Sequence, residues 1–162
     1  MLKEHIIYKE DLPVNCSIMN IDEYPIHFHN DLEVVYVLQG SVRLKNGYYT
    51  YDMEEGDIYI LNDREIHSYY RLDESNVVLI LQLNLSYFAR YYEILRNSFF
   101  VTDMNGAEDE SVEELQELLA RIALETLKGK QGYEKRVVEL AHGLIDCLIQ
   151  NFQFFVMENG KF

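Results

Sequence analysis

The stretch from residue 27 to residue 67 constrains this chain more than any other, because it spaces four chemically demanding side chains at strand periodicity. It reads HFHNDLEVVYVLQG and, after a hairpin, EGDIYILNDREIH, supplying His27, His29, Glu33 and His67. Side chains along a strand alternate faces, so His27, His29 and Glu33 share one parity. An antiparallel neighbour carrying His67 would then bring all four together inside a barrel.

The surrounding pattern is that of strands. Residues 6–8 and 18–21 read as short β segments on either side of Leu12-Pro13, whose proline holds Leu12 extended. Residues 32–38, with Val34, Val35 and Val37, read as a buried strand ended at Gln39-Gly40. Val42 and Leu44 alternate with Arg43 and Lys45, and Asn46-Gly47 is a hairpin signal. Strands are expected again at 48–51, 58–61, 66–72 and 77–85, with His67, Tyr69 and Arg71 sharing one face. Strands at this spacing, without a long helix between them, indicate an antiparallel barrel or sandwich whose mouth is the default pocket.

After residue 85 the period changes. Ser86 is a plausible cap for a short helix over 87–95. Residues 102–110 read as a solvated loop. Ser111 and Glu114 form a capping box opening a helix to about residue 128, with Val112, Leu115, Leu119 and Ile122 on one stripe. Gly129 and Gly132 bracket a turn into a second helix, 133–155, whose apolar band is broad enough to meet both the first helix and a partner subunit.

The spacing His-x-His-x3-Glu-x6-Gly, met by His27, His29, Glu33 and Gly40, resembles the first cupin motif, with Ile21 standing where a glycine usually opens it. The second cupin motif is matched at its ends, Gly56 and His67, with Asn62 in place of its proline and Arg64 in place of its glycine. The runs YVLQGSVRL, GDIYILNDREIHSYY and LNLSYF resemble the effector-binding domain of AraC-type transcriptional regulators. The resemblance covers residues 5–100 well and the helical remainder more loosely. It implies a mainly β fold: a cupin (double-stranded β-helix, jelly-roll) barrel over residues 1–85, then a helical subdomain over 86–162 whose helix pair forms a homodimer. It also implies an N-terminal arm over the ligand pocket. In that family a domain with two helix-turn-helix motifs follows, so DNA would be reached only through a C-terminal domain absent from this chain.

Charge agrees with that division of labour. A formal net charge of -14 and a pI near 4.6 argue against these residues gripping nucleic acid, since phosphate neutralisation needs clustered Lys and Arg. The longest purely apolar run, residues 77–81, is far short of the roughly 20 residues that span a bilayer. The N-terminus lacks the apolar stretch of a secretory signal. Cys16 and Cys147 read as reduced thiols, and the chain as cytoplasmic.

Three imidazoles and a carboxylate suit a divalent transition metal such as Zn, Ni, Mn or Fe, with positions left open to a ligand. The same residues could instead hold an organic effector, or satisfy one another as buried polar groups. The expected effector-binding set is His27, His29, Glu33, His67, Tyr36, Tyr69 and Arg71. Tyr49 and Tyr51 are further stacking candidates, Arg43 reads as a solvated strand-face residue, and His5 and His142 stand alone. The leading reading is a sensor of a small effector such as a sugar. The alternative is a stand-alone metal-dependent cupin enzyme, an isomerase or dioxygenase; a dimerisation module with a vestigial pocket is a third.

Overall fold

The apolar runs at residues 32–38 and 77–83 are hydrophobic at both parities because each strand is covered on both faces. In the computed structural model, which describes residues 2–101 and 109–157, these are strands β4 (Leu32–Gln39) and β9 (Val77–Leu83) of a four-stranded sheet. Its other members are β2 (Val14–Met19) and β7 (Ile58–Leu61), in the order β2-β9-β4-β7. Opposite lies a five-stranded sheet, β1-β3-β8-β5-β6, built from β1 (Leu2–Lys3), β3 (Glu23–Phe28), β5 (Val42–Asn46), β6 (Tyr49–Met53) and β8 (His67–Arg71). Val35, Val37, Leu61, Val78 and Ile80 of the first sheet meet Val42, Leu44, Met53 and Tyr69 of the second in the barrel core.

The alternate residues of the four-stranded sheet, among them Val34, Ile60, Leu79 and Leu81, point outward into a second core completed by the helices. Helix α1 (Leu85–Phe88) and a 3-10 turn (Glu93–Arg96) lead to strand β10 (Ser98–Phe100). Helices α2 (Asp109–Lys128) and α3 (Tyr133–Asn151) then bury Leu115, Leu119, Ile122, Ala141, Leu144 and Leu148 against that face. Barrel and helices thus share a continuous apolar layer across one sheet.

Several local expectations are corrected. Residues 6–8 form no strand; the N-terminal strand is Leu2–Lys3, paired in parallel with β3. The short helix is capped by Asn84 rather than Ser86, its side chain accepting the Tyr87 N–H at 3.0 Å, and it lasts four residues. Ser111 is not an N-cap, because the helix already runs at Asp109. The last helix ends at Asn151, not 155: Phe152 turns extended, and Phe154–Val156 (β11) pairs antiparallel with β10, so ladder bonds override the continuing apolar period. The hairpin after β5 pairs Asn46 with Tyr49, which puts Gly47 and Tyr48 in the turn with positive φ at Gly47 alone, a type II′ pattern. The loop expected at 102–110 lies outside the described residues up to 108.

Both departures from the second motif have structural roles. Asn62 is buried and clamps the strand after the barrel, donating to the Phe100 carbonyl at 3.0 Å and accepting the Phe100 N–H at 2.7 Å. Arg64 adopts the left-handed conformation (φ 62°), which a glycine would take without strain, while its N–H donates to the His29 carbonyl at 2.7 Å.

A similar backbone demand closes the end of β4. Gly40 has φ +72°, and a Cβ there would lie 2.5 Å from the Ser75 carbonyl oxygen. The next residue, Asn76, is fully buried and exchanges two 2.8 Å hydrogen bonds with the backbone of Ile21. Gly40→Ala is expected to destabilise the protein by roughly 2–4 kcal/mol through combined strain and displacement of this contact, read as a lower urea midpoint. Gly47→Ala, where a Cβ meets nothing within 4 Å, should cost clearly less.

Candidate functional site

Register assembles the site. β3 pairs with β8 so that His27 lies opposite His67, and His29 follows just past the end of β3. β4 brings in Glu33 from the facing sheet, opposite Gln82 of β9. All four predicted donors are at most 2% exposed. One ligand nitrogen from each of His27, His29 and His67 lies within 4.8 Å of the others.

Each imidazole is held the same way. Nδ1 of His27 lies 2.8 Å from the Pro25 carbonyl, Nδ1 of His29 3.0 Å from the Asp31 carbonyl, and Nδ1 of His67 2.8 Å from the Glu65 carbonyl. A carbonyl only accepts, so each Nδ1 carries the hydrogen and each neutral ring presents its Nε2 lone pair to the centre. There the lone pairs meet carboxylates. His29 Nε2 is 3.0 Å from Glu33 Oε2, His67 Nε2 3.6 Å from Glu33 Oε1, and His27 Nε2 3.6 Å from Glu4 Oε2. Buried lone pairs facing carboxylate oxygens favour a cation between them, either a proton or a metal ion.

The surroundings of His29 favour its protonated form. Burial opposes it, but the hydrogen bond and charge of Glu33 prevail and raise its pKa. Burial likewise works to raise Glu33, yet its hydrogen bond to His29 and the surrounding positive potential hold its carboxyl below the usual carboxylate range. His67 is pushed down to about 4 by burial, against the pull of Glu33. It is therefore neutral near pH 7, and its Nε2 has no hydrogen-bond partner among the described residues. Glu33 also accepts the Tyr69 hydroxyl and, at 2.8 Å, the Gln82 amide, while Asn15 donates to Gln82 at 2.8 Å. Three strands thereby align a polar chain on one carboxylate, a set of groups that fits a divalent ion.

A cavity of about 120 Å³ adjoins the cluster, lined by Glu4, Asn15, Ser17, Tyr24, His27, Glu33, Tyr69 and Gln82 with Met19 and Ile80. None of these is Lys or Arg. Tyr69 stands where the parity of His67 puts it. Tyr36 does not reach the cavity: its even number sets it on the opposite face of β4 from Glu33, against the helix-side core. Arg71 lies outside it, half-exposed and 3.1 Å from Asp22. Tyr49 is exposed, Tyr51 packs on the barrel core, and Arg43 pairs with Asp52 on the surface. His142 is packed among Phe88, Tyr91 and Tyr92.

Sequence reasoning missed Glu4, Tyr24, Asn15 and Gln82. Gln82 had a signal, as the single amide within VVLILQL. Tyr24 reaches the cavity because a register shift between Tyr24 and His27 interrupts strand alternation, and nothing local announces it.

A family model described as an AraC-like ligand binding domain matches residues 20–145. Comparison with curated proteins gives no match. Similar solved structures include a conserved protein of unknown function from Streptococcus pyogenes, at 19% identity and TM-score 0.42 over 44% of this chain and 64% of that one. A cupin-2 domain containing protein from Shewanella frigidimarina is 18% identical, with TM-score 0.41 over 44% of this chain and 71% of its own. An oxalate decarboxylase variant from Bacillus subtilis is 22% identical, with TM-score 0.43 over 46% of this chain and 22% of its own. The chain thus spans less than two thirds of the first of these proteins and less than a quarter of the last.

The protonation pattern has a stability signature. His67, with its folded-state pKa lowered from 6.5, contributes fully above that pH and loses its contribution as the pH falls toward about 4. Glu33, also lowered, contributes above its ordinary value of 4.5 and loses this only on further acidification. His29, raised, contributes at and below pH 6.5 and loses this as the pH rises through its folded-state value. Urea unfolding of chelator-treated protein should therefore show stability dropping between pH 6.5 and 4, and His67→Gln should flatten that limb.

Proposed function

The chain belongs to the AraC-like ligand binding domain family, matched over residues 20–145, and on that premise we propose that it is the effector-sensing and dimerisation module of an AraC-type transcription regulator. His27, His29, Glu33 and His67 hold a divalent transition metal (Zn, Ni, Mn or Fe), and a small polar effector of sugar size or smaller occupies the adjoining cavity. The observation that carries this reading is the inward convergence of three Nε2 lone pairs on carboxylates beside that cavity. When bound, the ion supplies a Lewis-acidic point for an oxygen of the effector. Tyr69 stays protonated, because burial and the charge of Glu33 raise its pKa, and so keeps a hydroxyl donor on Glu33. Gln82 and Asn15 orient the same carboxylate, and Ser17 and Tyr24 offer further polar contacts to a ligand.

Coupling to the helices runs through β2, which lies against both α2 and α3, with Val14 and Cys16 in the helix-side core and Asn15 and Ser17 lining the cavity. A ligand that prefers one arrangement of this sheet shifts the helix pair with it. On the outer side, Leu124 and Leu127 are 52% and 69% exposed beside a groove where Leu118 and Leu140 alternate with Arg121, Glu125, Lys128, Arg136 and Glu139. The two exposed leucines within this mixed-charge face support a homodimer through the helices. DNA contact belongs to a helix-turn-helix domain outside these residues. The enzyme reading, a metal-dependent isomerase or dioxygenase, is favoured by the same four donors and separates from the sensor by turnover.

Elemental analysis of protein dialysed against chelator and reloaded should find near-stoichiometric transition metal, absent in a His27→Ala, His29→Ala double variant. Leu124→Glu with Leu127→Glu should convert a dimer to monomer in sedimentation velocity. A chain that binds no metal, stays monomeric and shows no thermal shift with small polyols would overturn the proposal.

A further inference from the structure

We infer that Glu4, carried in by the N-terminal strand, is a further donor to the ion held by the three histidines, so that metal binding fastens the N-terminal segment onto the barrel. The inference rests on the metal reading above and extends it to a residue that neither the histidine stretch nor the family match includes.

Glu4 reaches the site through backbone pairing. β1 lies parallel to β3 with Leu2 opposite His27 and Lys3 opposite Phe28, and the Glu4 N–H donates to the Phe28 carbonyl at 2.9 Å. The side chain enters the cavity, where its Oε1 accepts the Tyr24 hydroxyl at 2.6 Å. That leaves Oε2 buried with no hydrogen-bond partner among the described residues, 3.6 Å from His27 Nε2. His27 in its neutral tautomer cannot supply the missing proton, since Nδ1 holds it against the Pro25 carbonyl. His67 Nε2, in a ring whose centroid is 4.1 Å from that of His27, is likewise buried and unpartnered. A buried carboxylate oxygen and a buried imidazole lone pair, flanking one histidine, are both satisfied by a single cation. Among the described residues, no Lys or Arg lines the cavity to serve as that cation.

Charge balance points the same way. Three neutral imidazoles and Glu33 alone would leave a divalent ion with a net positive charge inside the barrel. Adding the Glu4 carboxylate brings the cluster to neutrality, which low-dielectric surroundings favour. The strand that carries Glu4 is otherwise weakly held. It is two residues long and exposed, and His5 and Ile7 beyond it are exposed too. A metal tie at Glu4 is then a large fraction of what docks it, and by thermodynamic reciprocity docking of the strand strengthens metal binding by the same factor.

The test uses the full 162-residue chain, stripped with chelator and titrated with Zn(II) against a chelating dye, in wild type, Glu4→Gln and the His27→Ala, His29→Ala double variant. Hydrogen exchange at the N-terminal amides, including that of Glu4, is followed with and without Zn(II). Glu4→Gln keeps the shape of the side chain and an acceptor for Tyr24. It should weaken Zn(II) binding by about tenfold or more, and Zn(II) should slow exchange of the Glu4 amide in wild type but not in Glu4→Gln. Equal Zn(II) affinity in wild type and Glu4→Gln, or N-terminal exchange in wild type indifferent to Zn(II), overturns the role of Glu4 while leaving the histidine site standing. Failure of wild type to bind Zn(II) at all overturns both.

Discussion

The interaction on which the rest of this structure depends is the opposition of imidazole lone pairs and carboxylates inside a barrel. Three backbone carbonyls claim the Nδ1 hydrogens of His27, His29 and His67 and turn their Nε2 atoms toward Glu33 and Glu4. In water such an arrangement would relax by solvation. Enclosed between two sheets, with only a small polar-lined cavity beside it, the cluster favours positive charge among these groups, a proton or a metal ion.

That demand shapes the layers around it. β4 and β9 must bury polar groups on one face while remaining apolar enough to carry helices on the other. The result is Glu33 and Gln82 set among valines, leucines and isoleucines, each polar atom tied to a neighbour across a strand. The loop after β7 is drawn into the same logic. Arg64 accepts a left-handed backbone while binding the His29 carbonyl, and Asn62 fastens the loop to β10 on the way to the helices. Changes at the histidine cluster are thus one hydrogen-bonded loop and one sheet away from α2 and α3.

Much of this was legible from local pattern. The strand sequence from residue 32 to residue 83 follows from alternation and turn residues, and the helix pair from its period and bracketing glycines. Boundaries failed where a partner remote in sequence decided them: residues 154–156 continue an apolar helical pattern, yet pair with β10 because those ladder bonds are available only in the folded chain. In the site, parity alone separates Tyr36 from Glu33, so its placement outside the cavity was already implicit in its number. Arg71 has the parity of His67 but lies at the end of β8, where Asp22 and solvent hold it.

The sequence by itself determined an antiparallel barrel or sandwich, the spacing that lets His27, His29, Glu33 and His67 meet within it, and an acidic balance poorly suited to gripping nucleic acid, because each is a property of period, spacing or charge count. Only the tertiary structure decided what completes the site. Glu4 arrives through a parallel pairing of two residues with β3, Tyr24 through a register shift, and Asn15 and Gln82 through adjacency of β2, β9 and β4. These contacts join residues distant along the chain. Their physical cause is the closure of two sheets around buried charge, which local sequence does not encode.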